Sequence, residues 1–290
     1  MPHCEFDIQK NVCLKKSNTF KVGGRAKYFF EPTSVEELVA FLQKKSAILP
    51  NVPCYFLGLG SNTLFPDGDL DLCVIRTRKL TGIKVDGRQV VVEAGLACAK
   101  LAKQMTLRGL NDAAWFAGIP GTMGGALRMN AGAFGGVTWD HVVEVTYANH
   151  KGDVFKLLPT DFEVAYRTVK APFDGVFLSG LFEFSKAAPE LDIKHYLQKR
   201  NSTQPIGTYN CGSVFKNPSN LFSAQLIEDV GLKGFEVGGA QVSKVHANFI
   251  ENVTGHCSSQ DVKQLIKMMQ DRVFQKHGVM LEPEVVMVEV

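Results

Sequence analysis

Glycine is bunched rather than spread along this chain, and the bunches restrict its fold more than any other feature. There are 27 glycines in 290 residues, slightly above the roughly 7% of average proteins. Four clusters stand out. They are Gly58-Leu59-Gly60-Ser61-Asn62, the stretch 118–132, the segment around Gly212-Ser213, and Gly238-Gly239 with the polar residues after it. Glycine permits positive φ and close backbone approach. Each cluster therefore marks a sharp turn or a place where backbone meets another surface.

Composition narrows the classes. With 45% hydrophobic and 21% charged residues, the chain reads as globular, not disordered, collagen-like or coiled-coil. At roughly 100–200 residues per domain, its length predicts two or three domains. The net charge is +3 and no run of five like charges occurs, which gives nucleic acid no electrostatic footprint. No apolar stretch approaches the length of a membrane span, and the acidic, polar start does not read as a signal peptide. The seven cysteines (Cys4, Cys13, Cys54, Cys73, Cys98, Cys211, Cys257) are odd in number and form no C-x-x-C. That pattern predicts reduced thiols in a cytoplasmic protein without a metal site.

Local patterns predict interleaved helices and strands. Ser34 with Glu37 is a capping-box start, followed by Val35, Leu38, Val39 and Leu42 at helical spacing. Further helices are expected over 97–108, 223–230 and 258–277, closed by Gly109, Gly231 and Gly278. Thr160 with Glu163 suggests another short helical start. Strands are expected at 54–57, 72–75, 90–92, 142–148 and 154–158, with a β-branched strand from 280 to 290. The stretch 118–132 carries five glycines and a proline, too many for a core helix. The segment 186–189 reads as a domain boundary.

Each cluster has a bland and a functional reading. Gly58 to Asn62 follows an apolar strand, so it is either a strand-end turn or a loop aiming amides at a phosphate. Thr63 stands where the dinucleotide fingerprint needs glycine, and no Gly-Lys-Ser/Thr follows. The stretch 118–132 suits either a tight crossing of two segments or backbone packed on a flat ligand. Gly212-Ser213 is not a hydrolase elbow, because Phe215 occupies the last glycine position. His246 has no metal-binding partner motif and reads as a structural histidine.

Taken in order, the motifs resemble one family. They are Asn18-Thr19-Phe20, Gly58 to Asn62, Gly118-Ile119-Pro120-Gly121-Thr122-Met123-Gly124-Gly125, Asn130-Ala131-Gly132-Ala133, Tyr166-Arg167, Gly212 to Asn217 and Glu284-Val285. Together they resemble the UDP-N-acetylenolpyruvoylglucosamine reductase (MurB) family across nearly the whole chain. The short interval between Arg167 and Ser213 resembles its subclass without an inserted lid. Cys211, Lys244 and Val286 depart from the family pattern, as do Arg25, Val169 and Val288-Glu289.

The resemblance implies an α+β protein. It would have a vanillyl-alcohol-oxidase/PCMH-type FAD-binding fold and a C-terminal α/β substrate domain. It implies three parts: 1–55 completed by 280–290, 56–188, and a substrate domain at 189–279. The implied activity is NADPH-dependent reduction of UDP-N-acetylglucosamine enolpyruvate to UDP-N-acetylmuramate in peptidoglycan precursor synthesis. FAD would be bound non-covalently by Gly58, Leu59, Gly60, Ser61 and Asn62, and by Gly118, Ile119, Pro120, Gly121, Thr122, Gly124 and Gly125, with Asn130 and Gly132 nearby. Arg167, Ser213 and Glu284 would be catalytic. Tyr166, Arg200, Gln204, Lys216, Asn217 and Gln241 would contact the substrate. A cytoplasmic monomer with no nucleic-acid or membrane partner is expected. The alternatives are another FAD oxidoreductase of the same fold acting on an alcohol or hydroxy acid, and a non-enzymatic nucleotide-binding protein.

Overall fold

The computed structural model describes residues 6–186 and 192–289. The first part of the chain forms β1 (Ile8–Cys13), β2 (Arg25–Phe30), α1 (Val35–Ile48), β3 (Cys54–Leu57), β4 (Thr63–Leu64) and β5 (Asp69–Arg76). Next come β6 (Ile83–Asp86), β7 (Gln89–Glu93), α2 (Cys98–Thr106), α3 (Met123–Met129), β8 (Gly132–Ala133) and β9 (Gly136–Val137). They are followed by β10 (Val142–Asn149), β11 (Val154–Leu157), β12 (Glu163–Ala165), β13 (Thr168–Lys170) and β14 (Gly175–Glu183). The last part holds α4 (Ile193–Thr203), α5 (Ser223–Asp229), β15 (Glu236–Val237), β16 (Ala240–Val242), β17 (Ile250–Asn252), α6 (Ser259–His277) and β18 (Val286–Met287).

The chain divides into two compact units, neither contiguous in sequence. The first comprises 1–10, 28–59 and 72–198; the second comprises 11–27, 60–71 and 199–290. The expected boundary at 188/189 falls on 187–191, outside the described residues, as do Cys4 and Val290.

The first unit has two cores. One lies under α1, where Leu38, Phe41 and Leu42 pack with Phe30, Cys73 and Ile75. Its sheet runs β1-β2-β5-β3, with β3 and β5 parallel. The other core lies against an antiparallel sheet in the order β11-β10-β14-β7-β6. There Leu101 and Met105 of α2, and Met123 and Leu127 of α3, meet Val90, Val145 and Phe182. The spacing of apolar residues buries one face of each helix, as period 3.6 requires.

The second unit has its own core. Val262, Leu265, Ile266, Met269 and Val273 of α6 pack on Phe215, Ile227, Val242 and Ile250. The antiparallel sheet β15-β16-β17 and the parallel pair β18-β4 complete it.

Local signals placed the helix ends well. Ser34 Oγ accepts the Glu37 amide at 3.1 Å, while the Glu37 carboxylate reaches back to Thr33 instead of Ser34. Ser258 and Asp261 form a full capping box on α6. The Asp67 carboxylate takes the Ser259 and Gln260 amides at 3.1 and 3.2 Å. Gly109, Gly231 and Gly278 all have positive φ, the left-handed closure expected of C′ glycines.

Three expectations are corrected. No helix starts at Thr160: Pro159–Asp161 makes one 3-10 turn, and Glu163 opens β12. The Asp161 carboxylate caps that turn by accepting the Leu158 amide at 2.7 Å, and the chain then leaves it because Glu163 pairs with Lys170 in the β12–β13 hairpin. The tail is not one strand: 282–284 pairs with 214–216, and Val286–Met287 pairs with Thr63–Leu64. The stretch 118–132 does contain a helix, α3, despite Gly124 and Gly125. Burial of Met123, Ala126 and Leu127 outweighs the glycine penalty of about 1 kcal/mol per residue. Replacing Ser258 by alanine removes one arm of the α6 cap. It is expected to cost about 1 kcal/mol of stability, read from the shift in a urea unfolding curve.

Candidate functional site

In the first unit, the apolar strand β3 ends at buried Leu57, and Gly58 turns out of it. A Cβ on Gly58 would stand 2.5 Å from Thr122 Oγ1. Thr122 sits at the N-cap of α3 in extended conformation, yet its side chain makes no cap bond. Its Oγ1 is buried without a hydrogen-bond partner among the described residues. Burying a hydroxyl unpaired is costly, so this atom calls for a polar partner. On the other side, Gly125 is exposed, and a Cβ there would meet only that same oxygen, at 3.8 Å. The neighbouring Gly124 is different. Its amide donates to Ala94 O at 2.8 Å, and a Cβ would stand 2.9 Å from Ala94 Cβ. Gly124 thus serves packing, whereas Gly58 and Gly125 leave the space beside the orphan hydroxyl free of any Cβ.

The approach to this cradle is built by backbone bonds. Gly121 O accepts the Cys98 amide at 3.0 Å and its own amide donates to Ile119 O at 3.0 Å. Pro120 is exposed, and Leu59 and Ile119 are half-buried. A Cβ on Gly118 would strike the Phe134 ring at 2.4 Å.

A second group forms around Arg167. The residues Tyr166 and Arg167 are the two-residue link between β12 and β13, with Ala165 paired to Thr168. Arg167 takes φ +54, the left-handed region. Its Nη2 donates to Gly132 O at 2.9 Å, and its Cζ lies 5.6 Å from the Tyr166 ring centroid. Asn130, at φ +41, closes α3. Its Nδ2 donates to Ala165 O at 3.2 Å and its Oδ1 accepts the Trp139 amide at 3.2 Å. Asn130 therefore ties α3 with one end of its amide to the strand that leads into Arg167, and with the other to the backbone at Trp139.

In the second unit, Gly60 takes φ +77, and a Cβ there would fall 2.3 Å from Ser17 O. Gly60 O accepts both the amide and the hydroxyl of Thr19, at 3.0 and 3.3 Å. Ser61 is half-buried. Asn62 reaches the C-terminal segment: its Nδ2 donates to Glu284 O at 2.9 Å, and its O accepts the Val286 amide at 3.0 Å.

That segment runs antiparallel to the one carrying Ser213. Phe215 bridges Pro283, Lys216 N donates to Glu282 O at 2.9 Å, and Glu284 N donates to Val214 O at 2.7 Å. On its other side, Asn248 is nearly fully buried. Its Oδ1 accepts the Phe215 amide at 3.0 Å, its Nδ2 donates to Phe215 O at 2.8 Å, and its O accepts the Val214 amide at 2.8 Å. Before Ser213, Gly212 at φ +79 gives its amide to Asn210 Oδ1 at 2.9 Å. Ser213 is half-buried, and its hydroxyl is engaged by no described residue. Buried Cys211 is held protonated by desolvation and by the nearby Glu284 charge.

The structure thus brings Asn62, Ser213 and Glu284 together through adjoining backbone. Lys216 Nζ pairs with Glu282 at 2.6 Å. Asn217 Oδ1 accepts the Ser223 amide at 3.1 Å, at the start of α5. Arg200 Nε bonds Gln204 Oε1 at 3.2 Å, and burial pushes the Arg200 pKa down. Gln241 donates to Glu236. Among the described residues, no hydrogen bond or ion pair joins these last two pairs to the Ser213 segment. His246 accepts the Asn248 amide and packs edge-on to Phe249, a structural role.

Sequence reading passed over two positioning residues. Thr19 belongs to a motif but had no role, and Asn248 lay unremarked in the fourth glycine cluster. Both act on backbone far away in sequence, so only their polar character beside apolar neighbours could have flagged them.

The FAD binding domain family matches residues 26–158, and the UDP-N-acetylenolpyruvoylglucosamine reductase C-terminal domain family matches 204–288. A UDP-N-acetylenolpyruvoylglucosamine reductase of Coxiella burnetii is 42% identical over 297 residues, covering 94% of this chain and 92% of its own. One from Methylococcus capsulatus is 45% identical over 277 residues, covering 94% and 90%. The crystal structure of the Thermus caldophilus UDP-N-acetylenolpyruvylglucosamine reductase superposes with TM-score 0.82 at 28% identity, covering 98% of this chain and all of the other.

Asn248→Ala leaves the buried Phe215 amide without an acceptor. It is expected to lower stability by about 2 kcal/mol, measured by denaturant titration.

Proposed function

This chain belongs to the UDP-N-acetylenolpyruvoylglucosamine reductase family, and from that membership we propose how its own residues perform the reaction. It is an oxidoreductase of α+β fold, an FAD-binding part of the vanillyl-alcohol-oxidase/PCMH type followed by a C-terminal domain. It reduces UDP-N-acetylglucosamine enolpyruvate to UDP-N-acetylmuramate with NADPH, in peptidoglycan synthesis. No helix among the described residues is long and apolar enough to cross a membrane. In this reading the enzyme works as a monomer in the cytoplasm.

The residues present fit FAD. The buried, unpartnered Thr122 hydroxyl, reached past Gly58 and Gly125, is the kind of donor a polar cofactor completes. Gly58 to Asn62 and 118–125 would hold the cofactor. Asn130 and Gly132 would act by fixing the backbone beside it. When bound, FAD supplies hydride transfer from NADPH to the vinyl carbon of the substrate. The parts 1–55 with 280–290 and 56–188 would serve the cofactor, and 189–279 the UDP-sugar.

Hydride addition leaves negative charge on the carbon next to the substrate carboxylate. Arg167 would stabilise it with a planar guanidinium whose orientation is set by Gly132 O. Ser213 would then give that carbon its proton. A resting serine is a weak acid, but the carbanionic substrate is a strong base, so no lowered pKa is needed. Glu284 would orient the reacting group. The observation that carries this assignment is the 2.7 Å bond from Glu284 N to Val214 O, which sets the segments bearing the two residues side by side. Tyr166, Arg200, Gln204, Lys216, Asn217 and Gln241 are proposed substrate contacts.

Two outcomes test the reading. Ser213→Ala should keep flavin reduction by NADPH and slow reoxidation by the enolpyruvyl substrate by about 10²–10⁴-fold; stopped-flow absorbance of each half-reaction separates the two. Gly125→Ala should raise helix stability by about 0.5–1 kcal/mol while weakening FAD retention. A thermal melt of the apoprotein and the visible spectrum of the purified variant read both, and full flavin occupancy would remove Gly125 from the site.

A further inference from the structure

Cys54 and Cys73 face one another in the first unit. They are register partners in the parallel pair β3–β5. Register partners in parallel strands project to the same face, with the strands about 4.8 Å apart, inside the Cα separation that a disulfide spans. Both are free thiols; Cys73 is buried, and Cys54 is half-buried on β3, the last strand of its sheet. The reductase reaction uses neither. We propose that Cys54 and Cys73 form a redox-active dithiol, in which Cys54 meets a peroxide oxidant and Cys73 resolves it.

The surroundings divide the roles. A hydrogen bond from the Cys73 thiol, helped by the Lys45 charge and opposed by burial, holds the Cys54 pKa below the ordinary thiol value. The same hydrogen bond, with burial, pushes Cys73 well up. Of the two, Cys54 is thus the thiol more readily ionised and suited to attack. In the first step the Cys54 sulfur attacks one oxygen of hydrogen peroxide. An S–O bond forms, the O–O bond breaks, and the departing hydroxide takes a proton to become water. Cys54 is left as a sulfenic acid. The Cys73 sulfur then attacks the Cys54 sulfur. The S–S bond forms as the S–O bond breaks, and the Cys73 proton leaves with that hydroxide as a second water. The two thiols together lose two electrons and two protons, and the peroxide accepts both. Facing Cβ atoms in a sheet stand farther apart than the roughly 3.8 Å a relaxed disulfide prefers, so the product is strained and easily reduced by thiols.

The experiment treats the FAD-loaded enzyme with stoichiometric hydrogen peroxide, then alkylates, digests and maps it without reductant. The expected result is loss of two of the seven thiols and one linked peptide pair joining Cys54 to Cys73, both reversed by dithiothreitol. In Cys73→Ala, dimedone should trap the sulfenic acid on Cys54; in Cys54→Ser, neither the link nor labelling of Cys73 should occur. Adding dimedone during oxidation of the wild-type enzyme gives the same discrimination if Cys73→Ala does not fold. The proposal fails if both cysteines stay alkylatable, if either links to another cysteine, or if dimedone labels Cys73 in preference to Cys54.

Discussion

Backbone runs against backbone at Gly124 and Ala94, and again at Gly60 and Ser17, with no space for a Cβ between them. Much else depends on these approaches. At Gly124 the first turn of α3 is drawn onto the end of β7, which fixes Thr122 and its lone hydroxyl at the helix start. At Gly60 the same closeness lets Thr19 hold the turn with two bonds to one carbonyl. The shape of these glycine loops is therefore set by main-chain contact.

The proposed chemistry is arranged on the same principle. Ser213 and Glu284 are set by the main-chain ladder that joins 214–216 to 282–285. Asn248 extends the ladder sideways by imitating a strand with its amide side chain. A serine that must meet a carbanionic carbon needs placement more than acidity. A backbone frame supplies placement at little side-chain entropy cost.

What could be read from sequence was local. Helix ends came through because Ser258 and Asp261, or Gly278, act within a few residues of themselves. The α3 helix did not, since its two glycines argue against it and only burial of Met123 and Leu127 against distant strands reverses that. The tail was misread because it changes partner along its length, 282–284 meeting 214–216 and Val286–Met287 meeting β4, which no local pattern reveals. In the site, the glycines and the Tyr166-Arg167 and Gly212-Ser213 motifs were legible. The use of Asn130 as a clip and the facing of Cys54 and Cys73 were not, because each depends on a register that only the fold creates.

The division of the chain has a further consequence at the ribosome. The second unit combines 11–27 and 60–71 with 199–290. Its early strands emerge long before their partners: Asn62 waits for Glu284, 222 residues later. The segment from 72 to 198 can settle around its own sheet during synthesis, while the earlier pieces of the second unit stay unpaired until the last residues arrive. Closing so long a loop is slow, although its entropy grows only logarithmically with length. Truncation from the C-terminal end therefore also strips Asn62, Thr63 and Leu64 of their partners.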